Sequence, residues 1–103
     1  MGGIHLKIAI GSDHAGFHLK EHLKQVLDEF GAEYEDMGTF NEDSVDYPDY
    51  AKKVAVAVAS GQFERGVLLC GTGLGMCISA NKIAGIRAVT VQDEFSARLS
   101  REH

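Results

Sequence analysis

The chain has 103 residues, of which 45% are apolar, so it is long and apolar enough for one domain with a buried core, which argues against disorder. Ten basic and fifteen acidic residues give a net charge of −5, which argues against nucleic acid or an anionic membrane as the main partner. With two cysteines, no visible signal peptide and no apolar run long enough to span a bilayer, we expect a reduced, cytoplasmic protein.

Predicted strands and helices alternate along the chain. An apolar run at 6–10 predicts a strand, and residues 15–30 predict a helix that ends at Gly31. A strand at 32–36 follows, and Pro48 suits the first turn of a helix that continues to Ser60. A strand at 67–70, a helix at 76–82, a strand at 87–91 and a helix from Glu94 complete the pattern. The apolar stripe of the first helix contains Leu19, Leu23, Val26, Leu27 and Phe30.

This alternation predicts an α/β fold, a three-layer α/β/α Rossmann-like domain with a parallel sheet of about four strands over residues 1–103. Strands that are apolar throughout indicate a parallel sheet covered on both faces. Ligands of such sheets bind beyond the carboxyl ends of the strands. Polar groups follow three of these ends: Asp13 with His14, the turn after Cys70, and Gln92 with Asp93.

A glycine-rich turn joins the third predicted strand to the next helix. Directly after Cys70 it contains Gly71, Thr72, Gly73, Leu74 and Gly75. Backbone N–H groups of such a turn point toward an anion at a helix N-terminus, and the same helix end favours the ionised form of a nearby thiol. The segment therefore offers a candidate base or nucleophile beside a candidate oxyanion or phosphate cradle. The alternative is that the glycines only allow a tight connection.

Two nucleotide-binding motifs fit this turn poorly. A dinucleotide fingerprint requires a glycine where Met76 stands, and no Gly-Lys-Ser/Thr of a Walker A loop is present. Cys70 is either a small buried side chain or a reactive thiol at a strand end, and spacing alone leaves both interpretations open. Cys77 falls on the apolar face of the next predicted helix, which indicates a core position.

Histidines form a second group of candidates. Asp13 and His14 either begin a helix, with the aspartate as its cap, or bind hydroxyl groups and carry protons at the ligand edge. His18 and His22 match the H-x-x-E-H form of a zinc motif, with His14 one turn earlier. A solvated helix face with nearby lysines explains this spacing more simply, since no convincing third ligand follows, and we expect no metal. His103 alone indicates a solvated terminus.

Several segments carry a family resemblance over residues 6–103. They are residues 8–16, 46–48, 70–75, 80–82, 85–88 and 100–103. In their order and spacing they resemble the ribose-5-phosphate isomerase B family, which also contains galactose-6-phosphate isomerase subunits. The resemblance implies conversion of an aldose phosphate to its ketose, ribose 5-phosphate to ribulose 5-phosphate, without metal or organic cofactor.

The resemblance assigns catalytic roles to three residues. Cys70 matches the base that removes the C2 proton, and Thr72 matches a threonine that assists it. His103 matches the histidine that opens the furanose ring. One branch of the family has serine and glutamate where this chain has Cys70 and Met76. The chain therefore resembles the cysteine branch.

The resemblance also assigns substrate contacts. Asp13 and His14 match residues that contact the substrate and its hydroxyl groups, and Tyr47 lies at a matching substrate-side position. The loop that holds the developing enediolate oxygen matches Gly71, Thr72, Gly73, Leu74 and Gly75. Family members are usually homodimers whose site forms between subunits, so we expect self-association.

Family members also continue past the position of His103. That part supplies a fifth strand, a closing helix and arginines that grip the phosphate, so we expect this chain to be a C-terminally truncated version with weak or no turnover. The alternative function is a non-catalytic α/β module that binds a phosphorylated ligand or another subunit. Ribose 5-phosphate, allose 6-phosphate and galactose 6-phosphate all remain candidate substrates.

Overall fold

The structure is a computed structural model that describes residues 7–40, 43, 46–70 and 74–87. Strands and helices alternate in it, as predicted. Their bounds are β1 (Lys7–Ser12), α1 (Phe17–Glu29), β2 (Glu33–Asp36), α2 (Tyr47–Ala59), β3 (Arg65–Leu69) and α3 (Leu74–Asn81). Apart from Arg87, the predicted strand at 87–91 and the predicted last helix lie outside the described residues.

The described strands form one parallel sheet in the order β2-β1-β3. The central strand β1 pairs Ile10 with Asp36 on one side and Ser12 with Leu69 on the other. From β1 the chain passes to β2 on one side of it and then to β3 on its other side. The switch point of the sheet therefore lies between β1 and β3. Open α/β sheets bind ligands beyond the strand ends at this switch point.

Helices cover both faces of the sheet, which confirms the predicted three-layer α/β/α arrangement. On one face Ala9 of β1 packs with Val54, Ala57 and Phe63 in a buried apolar cluster. On the other face Lys20 of α1 reaches Asp36 at the end of β2. Ala9 and Ile10 have no exposed surface, because β1 is central and covered on both sides.

Helix α2 approaches the sheet closely because its buried side chains are small. Ala51, Val54 and Ala55 are at most 3% exposed. A Cβ at Gly11 of β1 would lie 2.9 Å from Val54 Cγ2, and one at Gly66 of β3 would lie 2.7 Å from Val54 Cγ1. Glycine at both positions therefore sets the distance between α2 and the sheet. No helix in the described part of the chain is long and apolar enough to cross a membrane.

The burial of α1 differs from what its predicted apolar stripe suggests. Leu19 is 56% exposed and Phe30 is 82% exposed, whereas Lys20 has no exposed surface. The reason is a tertiary partner: the ammonium group of Lys20 is paired with the Asp36 carboxylate. Lys20 therefore belongs to the interface between α1 and the sheet, and not to the solvated helix face on which the sequence places it.

Candidate functional site

The turn after β1 and the end of β3 lie against each other at the carboxyl edge of the sheet. The N–H of Asp13 donates to the Leu69 carbonyl at 3.2 Å, which continues the pairing of the two strands. At Gly16 a Cβ would fall well inside van der Waals contact of the Leu69 carbonyl and 2.8 Å from Cys70 N. Two of the three polar segments predicted to share this edge are therefore neighbours in the fold.

The Asp13 side chain is held in a defined position at this edge. It is 9% exposed, and its Oδ1 accepts the N–H of Gly16 at 2.9 Å. The Asp13 carbonyl accepts the same N–H at 3.2 Å. Asp13 thus closes the turn that leads into α1, but it is not the helix cap, because the N-cap residue of α1 is Gly16 and no side chain caps this helix. His14 is exposed on that turn.

Cys70 follows the last residue of β3 and is half-buried. Helix α3 begins at Leu74, so the thiol lies in the connection that leads to a helix N-terminus. Met76, in the first turns of α3, is 1% exposed. Cys77 is half-buried and accepts the Asn81 amide at 3.6 Å, so it is not the fully enclosed core residue that the sequence indicates.

The remaining predicted site residues are described only in part. Tyr47 is the first residue of α2, which follows the carboxyl end of β2 and so starts at the same edge of the sheet. Leu74 and Gly75 form the start of α3. The positions outside the described residues are Gly71, Thr72, Gly73, Gln92, Asp93 and His103.

A turn after β2 completes the edge, although none of its residues is among the predicted site residues. Met37 N donates to the Ile10 carbonyl at 2.8 Å, and Ser12 N donates to the Gly38 carbonyl at 2.6 Å. Thr39 N donates to the Ser12 carbonyl at 2.9 Å, and Thr39 is 3% exposed. Residues 37–39 therefore extend the β1 pairing to Ser12. The sequence signal for this turn is an aspartate at a strand end with a glycine two residues later.

The electrostatic centre near this edge is the Asp36 carboxylate. Burial alone raises the pKa of Asp36, but hydrogen bonds from Lys20, the Gly38 N–H and Lys24 outweigh it and hold that pKa below its usual 3.8. For Lys24, burial lowers the pKa, whereas its hydrogen bonds to Asp36 and Glu21 raise it, and the net effect is a raised pKa. The ionised pair is thus the favoured state of the fold.

Acid is expected to destabilise the fold through Asp36. Its lowered pKa means that the ionised form contributes stability that is fully present above pH 3.8 and is lost as the pH falls through the lower folded pKa. We expect the thermal midpoint to drop when the pH is lowered below about 4, and to drop less in Asp36→Asn. Thermal unfolding followed by circular dichroism between pH 7 and pH 2.5 measures this. Glu29→Gln, an exposed carboxylate on α1, should keep the wild-type acid loss, and an equal loss in Asp36→Asn would contradict the assignment.

An open groove lies next to the 37–39 turn, since Met37 lines it, but it does not reach Asp13 or Cys70. The groove has a volume of about 880 Å³ and runs along α2 past Tyr50 and Lys53. Within the described ranges, no three His, Cys, Asp or Glu side chains are grouped to hold a metal ion. His18 and His22 are exposed on α1, in line with a solvated helix face.

Comparison with known proteins identifies the family. The Ribose/Galactose Isomerase family matches residues 8–103. The chain is 53% identical over 97 residues to ribose-5-phosphate isomerase B of Escherichia coli, covering 94% of this chain and 65% of that protein. It is 48% identical over 98 residues to D-erythrulose-4-phosphate isomerase 2 of Mycolicibacterium smegmatis, covering 92% of this chain and 64% of that protein.

The fold is shared with solved structures of similar sequence. The crystal structure of a ribose 5-phosphate isomerase from Thermotoga maritima is 56% identical and superposes with a TM-score of 0.94, covering 97% of this chain and 69% of that one. The chain spans just under two thirds of the length of the curated relatives it matches. The sequence match, which extends over nearly the whole chain, and the Rossmann-like α/β fold together show that the chain belongs to the Ribose/Galactose Isomerase family.

Proposed function

We propose that the protein interconverts an aldose phosphate and its ketose, with ribose 5-phosphate and ribulose 5-phosphate as the pair. The observation that carries this proposal is the contact between the Asp13–Gly16 turn and the β3 end at Cys70, at the switch point of a sheet that belongs to this family. The ribose sugar is favoured because the ribose 5-phosphate isomerases of Escherichia coli and Thermotoga maritima, at 53% and 56% identity, are more similar to the chain than the mycobacterial tetrulose-phosphate enzyme at 48%.

The chemistry needs a base and a site for negative charge. In our proposal the Cys70 thiolate removes the proton from C2 of the open-chain sugar, and the electron pair moves onto the carbonyl oxygen as an enediolate forms. Backbone N–H groups of residues 71–75 stabilise that oxygen, and each such donor is typically worth about 3 kcal/mol. A free thiol is only a few per cent ionised at neutral pH, so this chemistry needs a neighbouring group that favours a thiolate, a role that helix N-termini fill in other proteins.

The O2 hydroxyl proton then passes to O1, and transfer of a proton from the Cys70 thiol to C1 completes the isomerisation. Thr72 assists Cys70, and His103 protonates the ring oxygen to open the furanose, since imidazole titrates near neutral pH. Asp13 and His14 bind sugar hydroxyls, with Tyr47 on the substrate side of the same edge. The fixed Asp13 Oδ1 supports this role, because a carboxylate already oriented by Gly16 N loses little freedom on binding.

We also propose that two copies of the protein form the site together. The family resemblance carries this proposal. A homodimer would bring residues from a second copy to the carboxyl edge, where Asp13 and Cys70 lie. Sedimentation equilibrium measures the mass of the protein in solution. A monomer at micromolar concentration that still turns over substrate would contradict the proposed two-copy site.

Steady-state assays with three sugar phosphates test the proposed function. We expect the highest kcat/KM for ribose 5-phosphate, at least about tenfold above D-erythrulose 4-phosphate and galactose 6-phosphate, because a pocket discriminates one missing or extra carbon by roughly 10- to 200-fold. The assay is run on this chain and on a version that continues past His103, and we expect the longer version to be the more active. Absence of turnover in both would favour the non-catalytic binding module, and a preference for another sugar would reassign the substrate.

A further inference from the structure

The side chain of Lys20 is the most deeply buried cation of the described residues. It has no exposed surface, and its Nζ donates to Asp36 Oδ2. The rings of Phe17 and Phe40 lie with their centroids 5.5 and 5.3 Å from this Nζ. Burying an ion pair costs solvation energy, and such a pair is often no more stable than apolar residues of similar size. Stability alone therefore gives no reason to keep a charged pair here.

The second oxygen of Asp36 connects the pair to the carboxyl edge of the sheet. Asp36 Oδ1 accepts the Gly38 N–H at 2.9 Å, and the Gly38 carbonyl accepts the Ser12 N–H at 2.6 Å. The next residue, Asp13, is bonded through its own N–H to the Leu69 carbonyl. A continuous line of hydrogen bonds thus runs from the Lys20 ammonium to the backbone on which Asp13 stands.

We propose that the Lys20–Asp36 pair positions the substrate-binding edge, holding Gly38 and through it the Ser12–Asp13 backbone in place. Lys20 fixes the rotamer of the Asp36 carboxylate, and the carboxylate fixes the peptide that pairs with the end of β1. Neither side chain contacts the substrate in this role. The kinetic part of the inference rests on the proposed function, in which Asp13 binds the sugar.

Loss of the Lys20–Asp36 pair is expected to weaken substrate binding more than it slows the chemical step. Loosening the 37–39 turn weakens the fixed position of Asp13, while Cys70 stays at the end of β3, on the other side of β1. We expect Lys20→Met to raise KM for ribose 5-phosphate about tenfold, with kcat within about threefold of wild type. Lys24→Met is the matched control, because Lys24 also donates to Asp36 Oδ2, at 3.1 Å, but is 28% exposed. Its KM should stay within about twofold of wild type.

A double variant separates positioning from stability. Lys20→Met with Asp36→Leu removes both charges, so no unpaired buried charge remains and the thermal midpoint should recover relative to Lys20→Met. Asp36→Leu also removes the acceptor of the Gly38 N–H, so the 37–39 turn is not held in the double variant and the KM should remain raised about tenfold. If the double variant recovers the wild-type KM together with its stability, the pair is only structural and the inference is wrong.

Amide hydrogen exchange gives a second measurement that needs neither turnover nor the double variant. We expect Lys20→Met to speed exchange of the Ser12, Gly38 and Thr39 amides at least about tenfold more than that of Val54 in α2. A uniform increase over all amides would overturn the inference. A wild-type protein that turns over no sugar phosphate would instead contradict the proposed function, and the exchange pattern would still decide whether the pair holds this edge.

Discussion

Replacement of Cys70 with alanine is expected to reduce isomerisation of ribose 5-phosphate at least about 1000-fold, because the variant has no group at that position to remove the C2 proton. General acid–base groups typically contribute about 10²- to 10⁴-fold, and the proposed base removes the proton that the isomerisation has to move. The fold should remain, since Cys70 is only half-buried and follows β3 without belonging to it. Turnover and C2 proton exchange, measured by NMR in deuterium oxide, report the loss directly.

The second cysteine is the natural control for this experiment. Cys77 is also half-buried, but lies on α3 beside Asn81, so Cys77→Ala should retain turnover within about threefold. Both variants should keep the cooperative unfolding of the wild type. Unchanged proton exchange in Cys70→Ala would exclude Cys70 as the base, and an equal loss in Cys77→Ala would point to a general effect of the cysteine substitutions.

Replacement of Gly16 with alanine is expected to damage both stability and activity. Gly16 has a φ of −94°, which alanine adopts readily, so the cost comes from contact and not from backbone conformation. The new methyl group would overlap the Leu69 carbonyl and the Cys70 peptide nitrogen, and backbone atoms of a sheet cannot rotate away. We expect a loss of about 3 kcal/mol, or a thermal midpoint lower by roughly 10–20 °C.

The activity loss in Gly16→Ala follows from the same overlap. To admit the methyl group, the turn that carries Asp13 and His14 must move away from the β3 end at Cys70. A displacement of about 1 Å between groups that act together typically costs about 100-fold in rate. Kinetics below the thermal midpoint of the variant measure this loss separately from unfolding.

Gly31→Ala provides the comparison. Gly31 has a φ of +68°, and a Cβ there would meet nothing within 4 Å. The expected cost is only the left-handed conformation, about 1 kcal/mol, with unchanged kcat. If Gly16→Ala behaves like Gly31→Ala, the close approach of the two turns is not what holds this edge together.

The order and type of the elements could be predicted because local signals carry them. The apolar run before Gly11, the proline at the start of α2 and the glycine after α1 each act within a few residues of their own position. The bounds shift slightly: β3 begins at Arg65 and not at 67, because strand pairing with Ile8 extends it into polar sequence. Tertiary pairing thus adjusts the ends of elements that local sequence already defines.

The burial of α1 could not be predicted in the same way. A lysine followed by a glutamate, as in Lys20-Glu21, indicates a solvated side chain unless its partner is known, and that partner, Asp36, lies on a different element. The carboxylate itself sits at the end of a strand that is mostly polar, where nothing local marks it as buried. Leu19 and Phe30 belong to the predicted apolar stripe and are nevertheless exposed. A periodic stripe predicts which side of a helix is apolar, but not which part of that side the sheet covers.

The site could be predicted as a region but not as a set of contacts. Parallel strands place Asp13 and Cys70 at one edge, and this much follows from the α/β pattern. Their adjacency depends on the strand order β2-β1-β3, which the pattern of elements does not specify. The turn at 37–39 joins the edge through backbone hydrogen bonds, which any sequence can form, so the Asp36–Gly38 spacing indicates a turn but not its contact with β1.

The central claim is that a thiolate at Cys70 removes the C2 proton of a sugar phosphate to form an enediolate. Turnover of ribose 5-phosphate in deuterium oxide tests it most directly, with NMR following the hydrogen at C2 and the label in ribulose 5-phosphate. We expect solvent deuterium in the product and in recovered substrate, and loss of both signals in Cys70→Ala. Product formed with the original C2 hydrogen fully retained at C1, or turnover that survives in Cys70→Ala, would contradict the account.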